Sequence, residues 1–137
     1  RNSKVPSPLQ RRIATEITAD LDILEMKKGA SLYLGTHDFR KFSGPMKGEG
    51  FSSVRKILRS HLMKKNDILE YTIEGNAFLS HQVRRMVGAL VDVGRGALTL
   101  DDLKQLIRGV GDSVAHSLPA QGLCLREVRY ERFPPLI

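Results

Sequence analysis

The side chains best suited to chemistry lie in Asn76-Ala77-Phe78-Leu79-Ser80-His81-Gln82-Val83-Arg84-Arg85-Met86-Val87-Gly88, where a strand end feeds a helix. A guanidinium presents five donors in a fixed fork, which suits Arg84 to grip a carboxylate or a phosphate. At 3.6 residues per turn Arg84 shares a face with His81, Gly88 and Arg95. It sits about 100° around from the core position Val83, at the edge of the apolar stripe, with Arg85 turned further toward solvent. Gly88, one turn on, leaves room for a close approach. On pattern alone the commoner reading of such an arginine is a snorkelling side chain that covers apolar surface and pairs with a nearby carboxylate.

The other reactive residue types are less pointed. His37 and His81 have no second group at a spacing that implies base catalysis. Cys124, the single cysteine, lies between Leu123 and Leu125 as a strand residue, without a disulfide partner or a metal-ligand spacing. Its solitude fits a reducing, intracellular compartment, with cytoplasm, nucleus and mitochondrion undistinguished. Asp101 and Asp102 are accounted for by helix capping, and no other two carboxylates form an acid/base pair. Gly44, Gly48 and Gly50 lack the spacing and the Lys-Ser/Thr pair of a phosphate loop. No metal or cofactor is implied.

Charge points more clearly to a partner. The chain has 137 residues, 22 Lys and Arg against 15 Asp and Glu, and a formal net charge of +7. Residues 40–65 hold Arg40, Lys41, Lys47, Arg55, Lys56, Arg59, Lys64 and Lys65 against Glu49 alone, a balance of 8 − 1 = +7. The rest of the chain is therefore neutral, and the excess marks either a polyanion-facing surface or a solvated basic face. A hydrophobic share of 41% supports a packed core rather than general disorder. The apolar runs are far too short for a membrane span, and the start lacks a signal-peptide core. The chain opens without Met on a basic, proline-bearing stretch, so it is expected to be a piece of something longer.

The elements that must position these residues follow from periodicity. Residues 1 to about 18, with Pro6 and Pro8, read as an extended lead-in rather than a core element. From Asp20 to Leu34 apolar residues recur at helical steps, with Gly35 as C-cap and Gly29 a costly interior glycine. Thr36 to Gly50 reads as loop, with Phe39 and Phe42 anchoring a short turn. Ser53–Met63 and Ile68–Ile73 read as a hairpin about a turn at Lys64-Lys65-Asn66-Asp67, with Val54, Ile57 or Leu58, and Leu62 inward. Phe78–Val93 is the clearest helix, closed by Gly94-Arg95-Gly96. A second helix follows, with Thr99 as N-cap, Asp101 and Asp102 in its first turn, and Gly109 and Gly111 at its end. Leu123–Tyr130 alternates as a strand. This order fits an α+β domain, a mainly antiparallel sheet with helices packed on one face.

Gly35-Thr36-His37-Asp38-Phe39-Arg40-Lys41-Phe42, the Asn76–Gly88 block, Val93-Gly94-Arg95-Gly96 and Gly122-Leu123-Cys124-Leu125 resemble, in order and spacing, the C-terminal half of the TruA-type tRNA pseudouridine synthases. The resemblance covers about residues 20–131. It implies a C-terminal domain over 20–131, with 1–19 a lead-in or cut linker and 132–137 a tail. The implied fold is one of two ferredoxin-like halves joined about a positively charged cleft, in an enzyme that works as a homodimer.

The reaction implied is isomerisation of uridine to pseudouridine in tRNA, in the anticodon stem-loop. The family's catalytic aspartate, in an Arg-Thr-Asp-type motif, and the tyrosine that follows it belong to the N-terminal half, and neither motif is in this chain. By the resemblance, Arg84 matches the arginine that pairs with that aspartate and keeps it ionised. Leu123 matches the small apolar position near the target base. Arg40, Lys41, Arg55, Lys56 and Arg85 become candidate phosphate contacts. The implied partners are tRNA, the missing N-terminal half and a second copy in the whole protein, with no membrane. Two other readings stay open on the residues alone: a non-catalytic RNA-binding module, and an interaction domain whose positive stretch meets an acidic protein.

Overall fold

The computed structural model describes residues 8–16, 20–43, 52–79, 81–111 and 125–130, the last as backbone. Among the described residues there are five strands: β1 (Leu9–Glu16), β2 (Gly35–Asp38), β3 (Val54–Lys65), β4 (Ile68–Gly75) and β5 (Leu125–Tyr130). They form one sheet in the order β2-β3-β4-β1-β5, with every pairing antiparallel. Helix α1 (Ile23–Leu32) links β1 to the β2–β3 region, while α2 (Gln82–Arg95) and α3 (Leu100–Arg108) link β4 to β5. Without the short edge strand β2, this is a split βαβ pair with β4 and β1 central, the ferredoxin-like arrangement. A single 3-10 turn, Arg40–Phe42, follows β2.

Residues facing one another across the ladder share a face, so the register assigns the core side of the sheet. Ile13 opposes Tyr71 and Leu62 opposes Tyr71 from the other side. These three are buried with Ile57 and Ile73 beneath Met26, Ala30, Val83, Met86, Leu90 and Leu103 of the helices. Phe39 and Phe42 bracket Tyr33 edge-on or tilted, with ring centroids 5.7–6.3 Å apart. The Tyr33 hydroxyl donates to the Met86 carbonyl at 2.8 Å. The Tyr71 hydroxyl lies 2.5 Å from Ser60 Oγ, which donates to the Ala30 carbonyl at 2.7 Å. Burial raises both phenol pKa values, so these hydroxyls act here as neutral donors.

Several sequence expectations shift. The largest change concerns residues 9–16, read as a lead-in, which form the central strand β1 with Ile13 and Thr15 buried. Prolines 6 and 8 precede this strand and do not interrupt it, and paired arginines at 11 and 12 obscure its alternation. Helix α1 starts two residues after Leu21, where Asp22 accepts from the Glu25 N–H at 3.1 Å. Gly35 does not cap it; with φ +99° it opens β2, so part of the expected loop is strand. The costly Gly29 is explained by packing, since a Cβ there would meet Leu103 and Leu90 at 3.0 Å. In β3, Ile57 and Leu62 are inward, whereas Val54 and Leu58 are 46% and 49% exposed. A bulge between Ile57 and Arg59 resets the alternation there. Among the described residues no helix is long and apolar enough to cross a membrane.

Candidate functional site

The six residues between β4 and α2, 76–81, are where the sheet hands over to the Arg84 helix. Gly75 ends β4 opposite Ile57, and a Cβ on it would come within 2.9 Å of the Lys56 carbonyl oxygen. Only glycine lets the two backbones approach this closely. Asn76 then takes both backbone groups of Lys56: its N–H donates to the Lys56 carbonyl at 3.2 Å, and its Oδ1 accepts from the Lys56 N–H at 3.0 Å. The Arg11 guanidinium of β1 lies over the Phe78 ring, 4.9 Å from its centroid, a cation–π contact. Leu79 is held from its N–H by Oε1 of the fully buried Gln82 at 2.8 Å, while Gln82 Nε2 donates to Met86 Sδ at 3.4 Å.

Helix α2 therefore begins after a lead that is tied down at Asn76, Phe78 and Leu79. His81 occupies the N-cap in the left-handed region, φ 63° and ψ 7°, and makes no side-chain cap bond. Histidine is among the residues that tolerate this conformation, at an energetic cost. Arg84 follows in the first turn, exposed to solvent, and no hydrogen bond or ion pair engages it among the described residues. The pairing expected of a snorkelling arginine is thus absent among those residues. Arg85 is half-buried, with Nε enclosed and its side chain engaged.

The sheet gathers further cations at this same end. The β2–β3 register places Asp38 opposite Val54 and His37 opposite Arg55, so the 3-10 turn that follows β2 lies by the entry to β3. Arg40 is exposed there, and its N–H donates to Asp38 Oδ1 at 3.1 Å. Asp38 Oδ1 also accepts from Ser53 Oγ at 2.5 Å, which fixes the turn to β3. Lys56 is exposed, whereas Arg55 is half-buried, with Nη1 donating to the carbonyls of Ser52 at 2.6 Å and Val54 at 2.8 Å. Lys41 departs from expectation: it is buried, and its ammonium donates to the Gly111 carbonyl past the end of α3. That bond ties the 3-10 turn to α3. His37 is likewise occupied, its Nε2 2.7 Å from the Leu34 carbonyl and its ring edge-on to Phe39.

The basic segment of 40–65 is consequently not one patch. Lys64 and Lys65 lie at the hairpin tip, eight and nine residues along β3 from Lys56 and roughly 25–30 Å away at strand rise. Arg11, from the stretch read as a lead-in, joins the site end instead. Its sequence signal was the alternation of Leu9, Arg11, Ile13 and Thr15, masked by the adjacent Arg12. Leu123 and Cys124 lie outside the described residues. An open cleft of about 500 Å³ sits at the far end of α2, lined by Asp22, Glu25, Arg95, Thr99 and Asp101. No cluster of three or more metal-ligating side chains occurs among the described residues.

A match to the sequence pattern of the tRNA pseudouridine synthases covers residues 30–131, most of the chain and both the 3-10 turn and the Arg84 helix. The chain belongs to that family. Its curated relatives include tRNA pseudouridine synthase A of Acetivibrio thermocellus, 37% identical over 94% of this chain and 53% of that protein. The corresponding proteins of Staphylococcus aureus and Citrifermentans bemidjiense are 34% and 33% identical, over 88% and 91% of this chain and 45% and 50% of theirs. The chain thus spans about half the length of these relatives.

Proposed function

We propose that this chain is the C-terminal portion of a tRNA pseudouridine synthase, supplying RNA-binding surface and an active-site arginine to a catalytic aspartate carried by an N-terminal half. The observation that carries the reading is Arg84, exposed in the first turn of α2 with no partner among the described residues. In the isomerisation the N1–C1′ bond of uridine breaks, a C5–C1′ bond forms, and the C5 proton is lost while N1 gains one. An aspartate must be ionised to open that sequence. A guanidinium beside it holds its pKa down and its oxygens oriented. Leu123 is assigned to the apolar side of the base pocket.

Arg40, Arg55 and Lys56 are the proposed phosphate contacts, with Arg85 beside them at the helix start. They position the anticodon stem-loop without reading its sequence. Lys41 serves them by holding the turn that carries Arg40. The whole enzyme is proposed to act as a homodimer and to need no cofactor.

The test is a pseudouridine assay on unmodified tRNA, with this chain alone and with the chain restored to its upstream reading frame. Turnover confined to the restored protein is the expected result. Salt-sensitive tRNA binding with no turnover in either form would replace this reading with a non-catalytic RNA-binding module. Charge reversal at Arg55 and Lys56 is expected to weaken tRNA binding and lower the salt slope by about 2, one per phosphate contact. An unchanged slope excludes them as contacts.

A further inference from the structure

At the point where β4 leaves the sheet, the regular ladder with β3 has just failed. Ile57 pairs with Gly75 and Arg59 with Glu74, so Leu58 is bulged out and 49% exposed. Beyond that bulge the entry to β3 keeps β2 on one side, but on its β4 side it needs another partner. Asn76 is that partner, because its side-chain carbonyl stands where a strand carbonyl would and accepts from the Lys56 N–H, while its own N–H donates to the Lys56 carbonyl. One residue thereby clasps both polar backbone groups of Lys56, and the missing Cβ of Gly75 lets it come close enough. From Asn76 the chain runs only eight residues to Arg84, restrained at Phe78 by Arg11 and at Leu79 by Gln82.

We infer that Asn76 is a positioning residue, which holds the Lys56 ammonium and the Arg84 turn in one fixed relation, so that a phosphate held at Lys56 places the RNA relative to Arg84. This deepens the proposed function and rests on it. Because Asn76 bonds the backbone of Lys56, replacing the Lys56 side chain removes the charge and leaves the clasp. Removing Asn76 does the reverse. A loose Lys56 backbone lets the ammonium wander, so much of its phosphate contact is lost with the clasp.

The test is a double-mutant cycle on tRNA affinity, using this chain with Lys56→Ala, Asn76→Ala and both. Lys56→Ala is expected to weaken binding about threefold to fivefold, the size of one exposed charge contact. Asn76→Ala should have a similar effect and should raise the exchange rate of the Lys56 amide. The double variant should be no weaker than Lys56→Ala alone. If Asn76→Ala is unfolded at the assay temperature, Asn76→Ser, which keeps a shorter acceptor, takes its place under the same criteria.

In the enzyme with its upstream half, both variants should raise KM and lower kcat, and Asn76→Ala should lower kcat further because it also frees the Arg84 turn. Fully additive binding losses, or an Asn76→Ala variant that binds and turns over as wild type, overturn the inference. A Lys56→Ala variant with unchanged affinity overturns instead the phosphate contact on which the inference rests.

Discussion

Helices α2 and α3 follow one another in the chain, yet their first turns are built on opposite rules. At α3, Thr99 accepts from the Asp102 N–H at 3.0 Å and Asp102 accepts from the Thr99 N–H at 3.1 Å, a reciprocal capping box. Asp101 and Asp102 place negative charge at the positive end of the helix dipole. At α2 there is no side-chain cap and no acid in the first turn. A left-handed His81 precedes two arginines, whose charge opposes the dipole. The first start is stabilised locally. The second is held by the Asn76 clasp and the Arg11–Phe78 stack ahead of it, and by its own first residue, the buried Gln82, which bonds back to Leu79. A helix start that concentrates cationic donors where its own dipole disfavours them is suited to receive an anion, the carboxylate or phosphate of the proposed function.

The contrast can be broken by stability measurements, each read as a urea midpoint of the folded chain. Gly75→Ala should cost most, about 1–3 kcal/mol, because the new methyl meets a backbone carbonyl that cannot rotate away. A loss under about 0.5 kcal/mol would mean that the close approach does not hold the start of α2. Thr99→Ala should cost about 1 kcal/mol through loss of the capping box at α3. His81→Gly should have the opposite sign, a gain of about 0.5 kcal/mol, since relief of left-handed strain outweighs the added chain freedom. If His81→Gly is instead as damaging as Thr99→Ala, the two starts are not built differently. The smallest effect is expected for Arg84→Ala, a gain of a few tenths, about what an unfavourable charge at a helix start costs. A clear loss would reveal a structural partner for Arg84.

The same contrast explains what was legible in the sequence. The N-cap at Thr99, the closing glycines at 96 and 109 and the apolar stripes of both helices are local features, and the structure bears them out. The hairpin of β3 and β4 was equally readable, although the bulge at Leu58 was not, because a bulge is set by pairing rather than by residue type. Strand β1 was missed because its identity comes from two neighbours far along the chain, Gly75 to Ile68 on one side and Tyr130 to Leu125 on the other. The charge run of 40–65 was correctly counted, but a strand carries its residues some 3.3 Å apart, which separates Lys56 from Lys65. Lys41 shows the same limit, since no local pattern distinguishes an ammonium bound to the carbonyl of Gly111 from one in solvent. Arg84, in contrast, stands exposed at the edge of the stripe where periodicity put it.

The central claim is that Arg84 is exposed because it serves a carboxylate from the other half of the enzyme. The most direct measurement is pseudouridine formation by the Arg84→Ala variant of the whole enzyme under single-turnover conditions, with tRNA affinity measured alongside. The account predicts a rate at least about 100-fold lower, the scale of one lost preorganised charge partner, with affinity nearly unchanged. Near wild-type turnover would contradict it, as would a rate loss that saturating tRNA restores, because either result would leave Arg84 with no part in the chemical step.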